Sequence, residues 1–252
     1  MTATVDRLLA AAFGRPVAVT TRGIVLAQWR TARWALAGVV VLGAAAVAVW
    51  AAVGEPSASV VGFARQGVIW FSFSLAIAVA AGYPGVHVAM GQTRRALVRA
   101  SVLAALAMSV VFAVVVVGVI QAERVVYAVA GWQHVIIDDL TYVANTSQVG
   151  LLLGEYVVVA AAGQLCGLLC GAVYYRGGAW WGTLTLPLTV GPVILVQAGM
   201  SADLAVLGSD LAVGTLDGAL ARGAVALVVL AAVSAAYGLI VRTTPIRTAP
   251  LI

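Results

Sequence analysis

The residues of this chain whose types and spacing could do chemistry are few, and most are charged. Three arginines fall close together in Gly91-Gln92-Thr93-Arg94-Arg95-Ala96-Leu97-Val98-Arg99. Arginine presents a planar fork of donors that matches a carboxylate or a phosphate. Arg95 and Arg99, four residues apart, share one face if the segment is helical, and Thr93 is a residue type that caps a short helix. The segment is therefore suited to an acidic partner or to lipid phosphates. Glu155 is the one carboxylate inside a long apolar run. A charge in hydrocarbon is expensive, so it either faces a cavity, pathway or partner, or sits near the membrane surface, neutral or snorkelling. Asp138-Asp139 could hold a cation, but an acidic pair of this kind reads first as a solvated one. Cys166 and Cys170 lie within an apolar run, which argues against a disulfide framework and for a packing surface.

No enzymatic constellation accompanies these residues. HExxH and GxSxG are absent, and a phosphate-binding GxxxxGK[ST] cannot occur because all 14 basic residues are arginine. His87 and His134 are expected on opposite sides of a membrane, where they cannot share a metal within one chain. The expectation is a chain that is not itself an enzyme and binds no metal or cofactor of its own.

The elements that must position these residues follow from composition. Of 252 residues, 63% are hydrophobic and 9% charged, and mean hydropathy is +1.08. A soluble domain carries roughly 25% charged residues, so this chain has too little polar surface for water and most of it must face lipid. Backbone groups cannot go unpaired in lipid, so each apolar run long enough to cross it must be helical. The predicted fold is an all-α polytopic membrane protein with six transmembrane helices and an N-terminal interfacial helix. Residues 1–33 form the N-terminal segment, in which Arg22 to Arg33 suits a helix lying in the interface with Trp29 at headgroup depth. With Asp6 and no cleavage site after a short apolar core, this segment does not resemble a cleaved signal peptide. Residues 34–241 hold the spans, expected near 34–53, 67–90, 101–120, 149–175, 182–198 and 219–241, and 242–252 form a tail. Pro84, Pro187 and Pro192 fall inside spans, where proline kinks a helix, and are candidate gating points. Gly163, Gly167 and Gly171, four apart, line one face of the fourth span and would let another helix backbone come close.

Orientation follows from the arginines. With both termini in the cytoplasm, the inner segments hold Arg7, Arg15, Arg22, Arg30, Arg33, Arg94, Arg95, Arg99, Arg176, Arg242 and Arg247, and the outer ones hold Arg65, Arg124 and Arg222. Eleven against three is the asymmetry expected of a plasma-membrane protein so oriented. Glu55, Glu123, Asp138, Asp139, Asp203, Asp210 and Asp217 all fall outside in this arrangement.

With these residues in place the chain resembles a family. Gly91-Gln92-Thr93-Arg94-Arg95 is similar to the G-x-T-R-R loop of small six-span permeases of ABC-2-type exporters, especially actinobacterial ones. The basic segment before the first span, Tyr174-Tyr175-Arg176-Gly177-Gly178 and the short tail resemble that group in layout. The resemblance implies that a separate cytoplasmic ABC ATPase, which carries the ATP and Mg, docks on this loop through Gly91, Thr93, Arg94, Arg95 and Arg99. It also implies a second permease chain as partner, besides membrane lipids, and no nucleic acid. The longest outer loop here joins spans three and four, whereas the family commonly elaborates the one between five and six. The alternative to a permease is a non-transport membrane anchor or sensor that recruits a cytoplasmic partner through the same arginines.

Overall fold

The computed structural model of the chain describes residues 3–136, 143, 145–200 and 216–245. Asp138, Asp139, Asp203, Asp210 and Arg247 lie outside the described residues. The elements run α1 (Ala3–Phe13), α2 (Arg15–Val53), a 3-10 turn (Val61–Ala64), α3 (Arg65–Ala89), α4 (Arg94–Ala130), α5 (Val149–Leu184), α6 (Leu186–Met200) and α7 (Leu216–Thr243). Among the described residues there is no strand, only one bridge between Val135 and Asn145. Five helices are long and apolar enough to cross a membrane, and α6 is a shorter apolar helix. The chain is thus an all-α protein with the helices of a multi-pass membrane protein.

α5 is the central helix. In its most apolar stretch 83% of residues are buried, against 6% in that of α2, and it packs on α3, α4, α6 and α7. Glycine makes the tightest of these contacts. A Cβ on Gly163 would sit 2.6 Å from the Ile69 carbonyl oxygen, and one on Gly171 would sit 2.8 Å from the Ile77 carbonyl oxygen. One on Gly167 would run into the Phe73 carbonyl. The stripe therefore lies on the backbone of α3, which runs parallel to α5. Cys166 and Cys170 sit on an adjoining face, beside Val193 and Thr189 of α6.

Three segments differ from the sequence-based expectation. The segment Arg22–Arg33 is not a separate interfacial helix. It is the middle of α2, which continues unbroken to Val53. After Pro16 no proline interrupts this stretch, and nothing at the Arg33–Trp34 boundary ends a helix. The expected fifth span, 182–198, is two pieces. Gly178 (φ 75°, ψ −172°) breaks α5 in a conformation that only glycine adopts readily, and residues 179–184 then turn back along it. Tyr174 hydrogen-bonds Thr183 at 3.1 Å, and its ring covers Gly182, where a Cβ has no room. A second break at Thr185 precedes α6. Pro187 occupies the first turn of α6, where its missing N–H costs nothing, so it starts a helix and does not kink one. Pro84 and Pro192 lie inside α3 and α6. α4 also outruns its expected span, 101–120, at both ends.

Replacing Gly167 with leucine forces the backbones of α3 and α5 apart. It should lower unfolding free energy by about 3 kcal/mol, the upper part of the usual overpacking range, measured by denaturant titration in detergent. Gly154→Leu, on the same helix but with nothing within 4 Å of its would-be Cβ, should leave stability nearly unchanged. Equal effects of the two changes would show that the stripe makes no such contact.

Candidate functional site

Apart from the arginines along α2, the charges sort to the two ends of the bundle, and each end is locked by its own polar contacts. At the arginine-rich end, α3 closes at Gly91 (φ 76°). The Gly91 N–H bonds the Val88 carbonyl at 2.9 Å and the Gln92 N–H bonds the His87 carbonyl at 3.0 Å, a glycine-dependent helix stop. Thr93 then caps α4, its Oγ1 accepting from the Ala96 N–H at 3.2 Å. The helix it caps is not short: α4 has 37 residues, so Arg94, Arg95 and Arg99 are its first turns.

The three arginines have different roles. Arg94 is half-buried and donates from Nη1 to the Arg242 carbonyl at 2.9 Å. A guanidinium there meets the electron-rich last carbonyls of α7. Arg176 fastens the same helix end through Thr243. Arg95 and Arg99 are exposed and share a face of α4. Beside Arg99 a cleft of about 590 Å³ opens between α1, α4 and α7, walled by Phe13, Val98 and Ser234. The loop is tied to α2 as well, since Thr20 Oγ1 donates to Gln92 Oε1 at 2.9 Å.

At the opposite end two carboxylates hold the structure. Glu155 is not solvated: it and Arg65 form an ion pair at 3.1 Å with both side chains about 1% exposed. Glu155 Oε2 also accepts the Val143 N–H at 3.2 Å. Arg65 opens α3, so the pair closes the same two helices that the glycine stripe brings together. Glu123, on the extension of α4, accepts from Ser59 Oγ and from the Val60 N–H at 2.8 Å. His134 Nε2 lies 3.1 Å from Glu123 Oε2, and His134 Nδ1 lies 2.9 Å from Thr146 Oγ1. These contacts gather the segment before α3 and the segment before α5 onto α4. The His87 ring, at the arginine-rich end, bonds the Tyr83 carbonyl of its own helix at 3.1 Å.

Between the two ends lies one polar pair that sequence reading missed. Gln28 and Gln164, both buried, exchange hydrogen bonds at 3.0 and 3.4 Å. Arg65 was also missed as a partner for Glu155. The available signal was Gln164 inside an apolar run and Gln28 in the segment before the first expected span, but nothing in one sequence says which polar residues meet. The structure thus separates the expected coupling residues from Glu155 and from the glycine stripe, and brings Glu155 to Arg65. Comparison of the chain with protein-family models, curated proteins and solved structures gives no match.

Breaking a buried ion pair leaves its partner uncompensated, at a cost of about 3–5 kcal/mol. Glu155→Gln and Arg65→Met should each lose about that much in denaturant titration. The double variant Arg65→Met with Glu155→Leu should lose much less than the sum of the two. Additive losses would show that the pair does not act as a unit.

Proposed function

We propose that the chain is the membrane-spanning permease subunit of an ATP-binding-cassette exporter, moving its substrate across the cytoplasmic membrane with a separate ATPase subunit. The single observation that supports this most is the build of the arginine-rich end. Arg95 and Arg99 stand exposed, Arg99 beside a cleft, while the loop before them is fastened to α2 through Gln92 and to α7 through Arg94. A partner that grips Arg95 and Arg99 would hold the start of α4 and, through these ties, move α2 and α7 with it. That is the mechanical arrangement a coupling site needs, since binding must bias a two-state packing of helices.

In this reading the spans number six, the fifth being residues 179–200 across the break at Thr185. The termini and the arginine-rich end face the cytoplasm. α1, which leaves Val5, Leu8 and Phe13 exposed, takes the interfacial position. The ATPase supplies the nucleotide site with ATP and Mg. A second permease chain completes the pathway, and Pro84 and Pro192 are the points where helices bend. The chain itself contributes no catalytic group and meets no nucleic acid.

The test is Arg95→Glu with Arg99→Glu, a pair that spares Arg94 and its support of α7. Co-expressed with the proposed ABC ATPase partner, the variant should keep its melting temperature in detergent. It should lose at least about tenfold in ATPase capture, the scale expected when two charge-assisted contacts are reversed. Full capture and full transport-linked ATP hydrolysis by a folded variant would remove this face as the coupling site.

A further inference from the structure

α2 carries its arginines deeper than the sequence suggests. Thr21 Oγ1 bonds the Ala100 carbonyl at 3.4 Å, a separation of 79 residues. Val40, Gly43, Ala44 and Val47 of α2 line a cavity with Val119, Ala122 and Val126 of α4, so the two helices run parallel at a nearly constant offset. By that offset Arg30 is level with Ser109 and Arg33 with Phe112. On α4 no charged residue lies between Arg99 and Glu123, so these levels fall at the middle of its uncharged length. The Gln28–Gln164 pair gives the same depth independently, because Gln164 lies midway between Glu155 and Arg176 on α5.

Arg15, Arg22, Arg30 and Arg33 fall within an arc of about 80° on a helix of 3.6 residues per turn, and rise over about 27 Å. Their face is turned away from Thr21, Ile24, Gln28 and Ala32, which are buried against the bundle. Arg30 and Arg33 are exposed and make no hydrogen bond or ion pair with the described residues; Arg33 stacks over Trp34 at 5.4 Å. At the lower end of the ladder, α1 and α2 enclose a groove of about 500 Å³. Arg7, Arg15 and Arg22 meet Val19 and Leu26 there. The first 33 residues hold five arginines against one acid, Asp6.

We propose that this groove and ladder bind an anionic phospholipid, its phosphate held by Arg7, Arg15 and Arg22 and its chains laid on Val19 and Leu26, with Arg30 and Arg33 drawing headgroups toward mid-membrane. An arginine at that depth cannot face bare hydrocarbon without a counter-charge or water, and basic pockets at a membrane surface select anionic headgroups. The occupant must be both anionic and apolar, because the lining is both. A free anion would complement the positive charge and leave Val19 and Leu26 unused. This inference does not depend on an ATPase.

The full chain in detergent is titrated with phosphatidylglycerol or phosphatidylcholine, and bound lipid is counted by native mass spectrometry. Phosphatidylglycerol should bind at least about tenfold more tightly, as two or more arginines near one headgroup require. Arg15→Gln with Arg22→Gln should abolish that preference, and Arg15→Lys with Arg22→Lys should keep most of it. Equal binding of the two lipids, or retained preference in the glutamine variant, would overturn the proposal. So would displacement of phosphatidylglycerol by millimolar inorganic phosphate, which would mark a free-anion site. In parallel, phosphatidylglycerol with a photoreactive headgroup is crosslinked to the unmodified chain in nanodiscs, a readout that needs no variant to fold. Labelling on peptides of α1 and α2 up to Arg33 supports the site, and labelling confined to other helices overturns it.

Discussion

Everything in this bundle depends on one backbone-to-backbone contact, the three glycines of α5 lying on α3. In lipid there is little hydrophobic force between helices, so association comes from close packing and from polar contacts. Gly163, Gly167 and Gly171 allow α3 nearer than any side chain would. With α3 seated in that register, Arg65 arrives opposite Glu155, and the outer face of α5 is left for α6. The ion pair costs desolvation that the packing must help offset, because buried pairs seldom stabilise a fold outright. Its value here is register: an arginine at the start of one helix and a glutamate in the second turn of another can meet in only one alignment.

Polar contacts do the same work for the peripheral helices. α2 has few packed residues above Leu36, so its position rests on Thr20, Thr21 and Gln28. A glutamine pair inside a membrane is worth roughly 1 kcal/mol, which is enough to choose between registers of an otherwise slippery apolar helix. The chosen register carries Arg30 and Arg33 to mid-depth, where each would cost about 2.5–3.5 kcal/mol on insertion scales if it faced lipid chains. Our proposal of an anionic lipid on the outer face of α2 answers that tension.

The class of fold was legible because it follows from composition: 9% charged residues leave no choice but lipid. The glycine stripe was legible as a packing surface, since four-residue spacing fixes a face, but its partner helix was not. Span limits were least legible where hydropathy and position disagree. The apolar run 34–53 reads as a span, yet α2 docks through its more polar half, because Gln28, Thr20 and Thr21 find partners that no window of hydropathy can represent. Likewise Glu155 could be read either as facing a cavity or partner or as a carboxylate near the membrane surface; only the fold brings Arg65 to it. Thr93 was read correctly as a cap, but its helix proved to be a whole span, which turned three equivalent arginines into one structural and two exposed.

The claim on which the most rests is the register of α2 against α5. With Cys166 and Cys170 replaced by alanine, single cysteines are placed in pairs and treated with a short bifunctional thiol reagent in native membranes. The account predicts that cysteines at Gln28 and Gln164 crosslink and that cysteines at Ala44 and Gln164 do not. Crosslinking of Ala44 with Gln164, and none of Gln28, would place the span at 34–53, return Arg30 and Arg33 to the membrane surface, and contradict it.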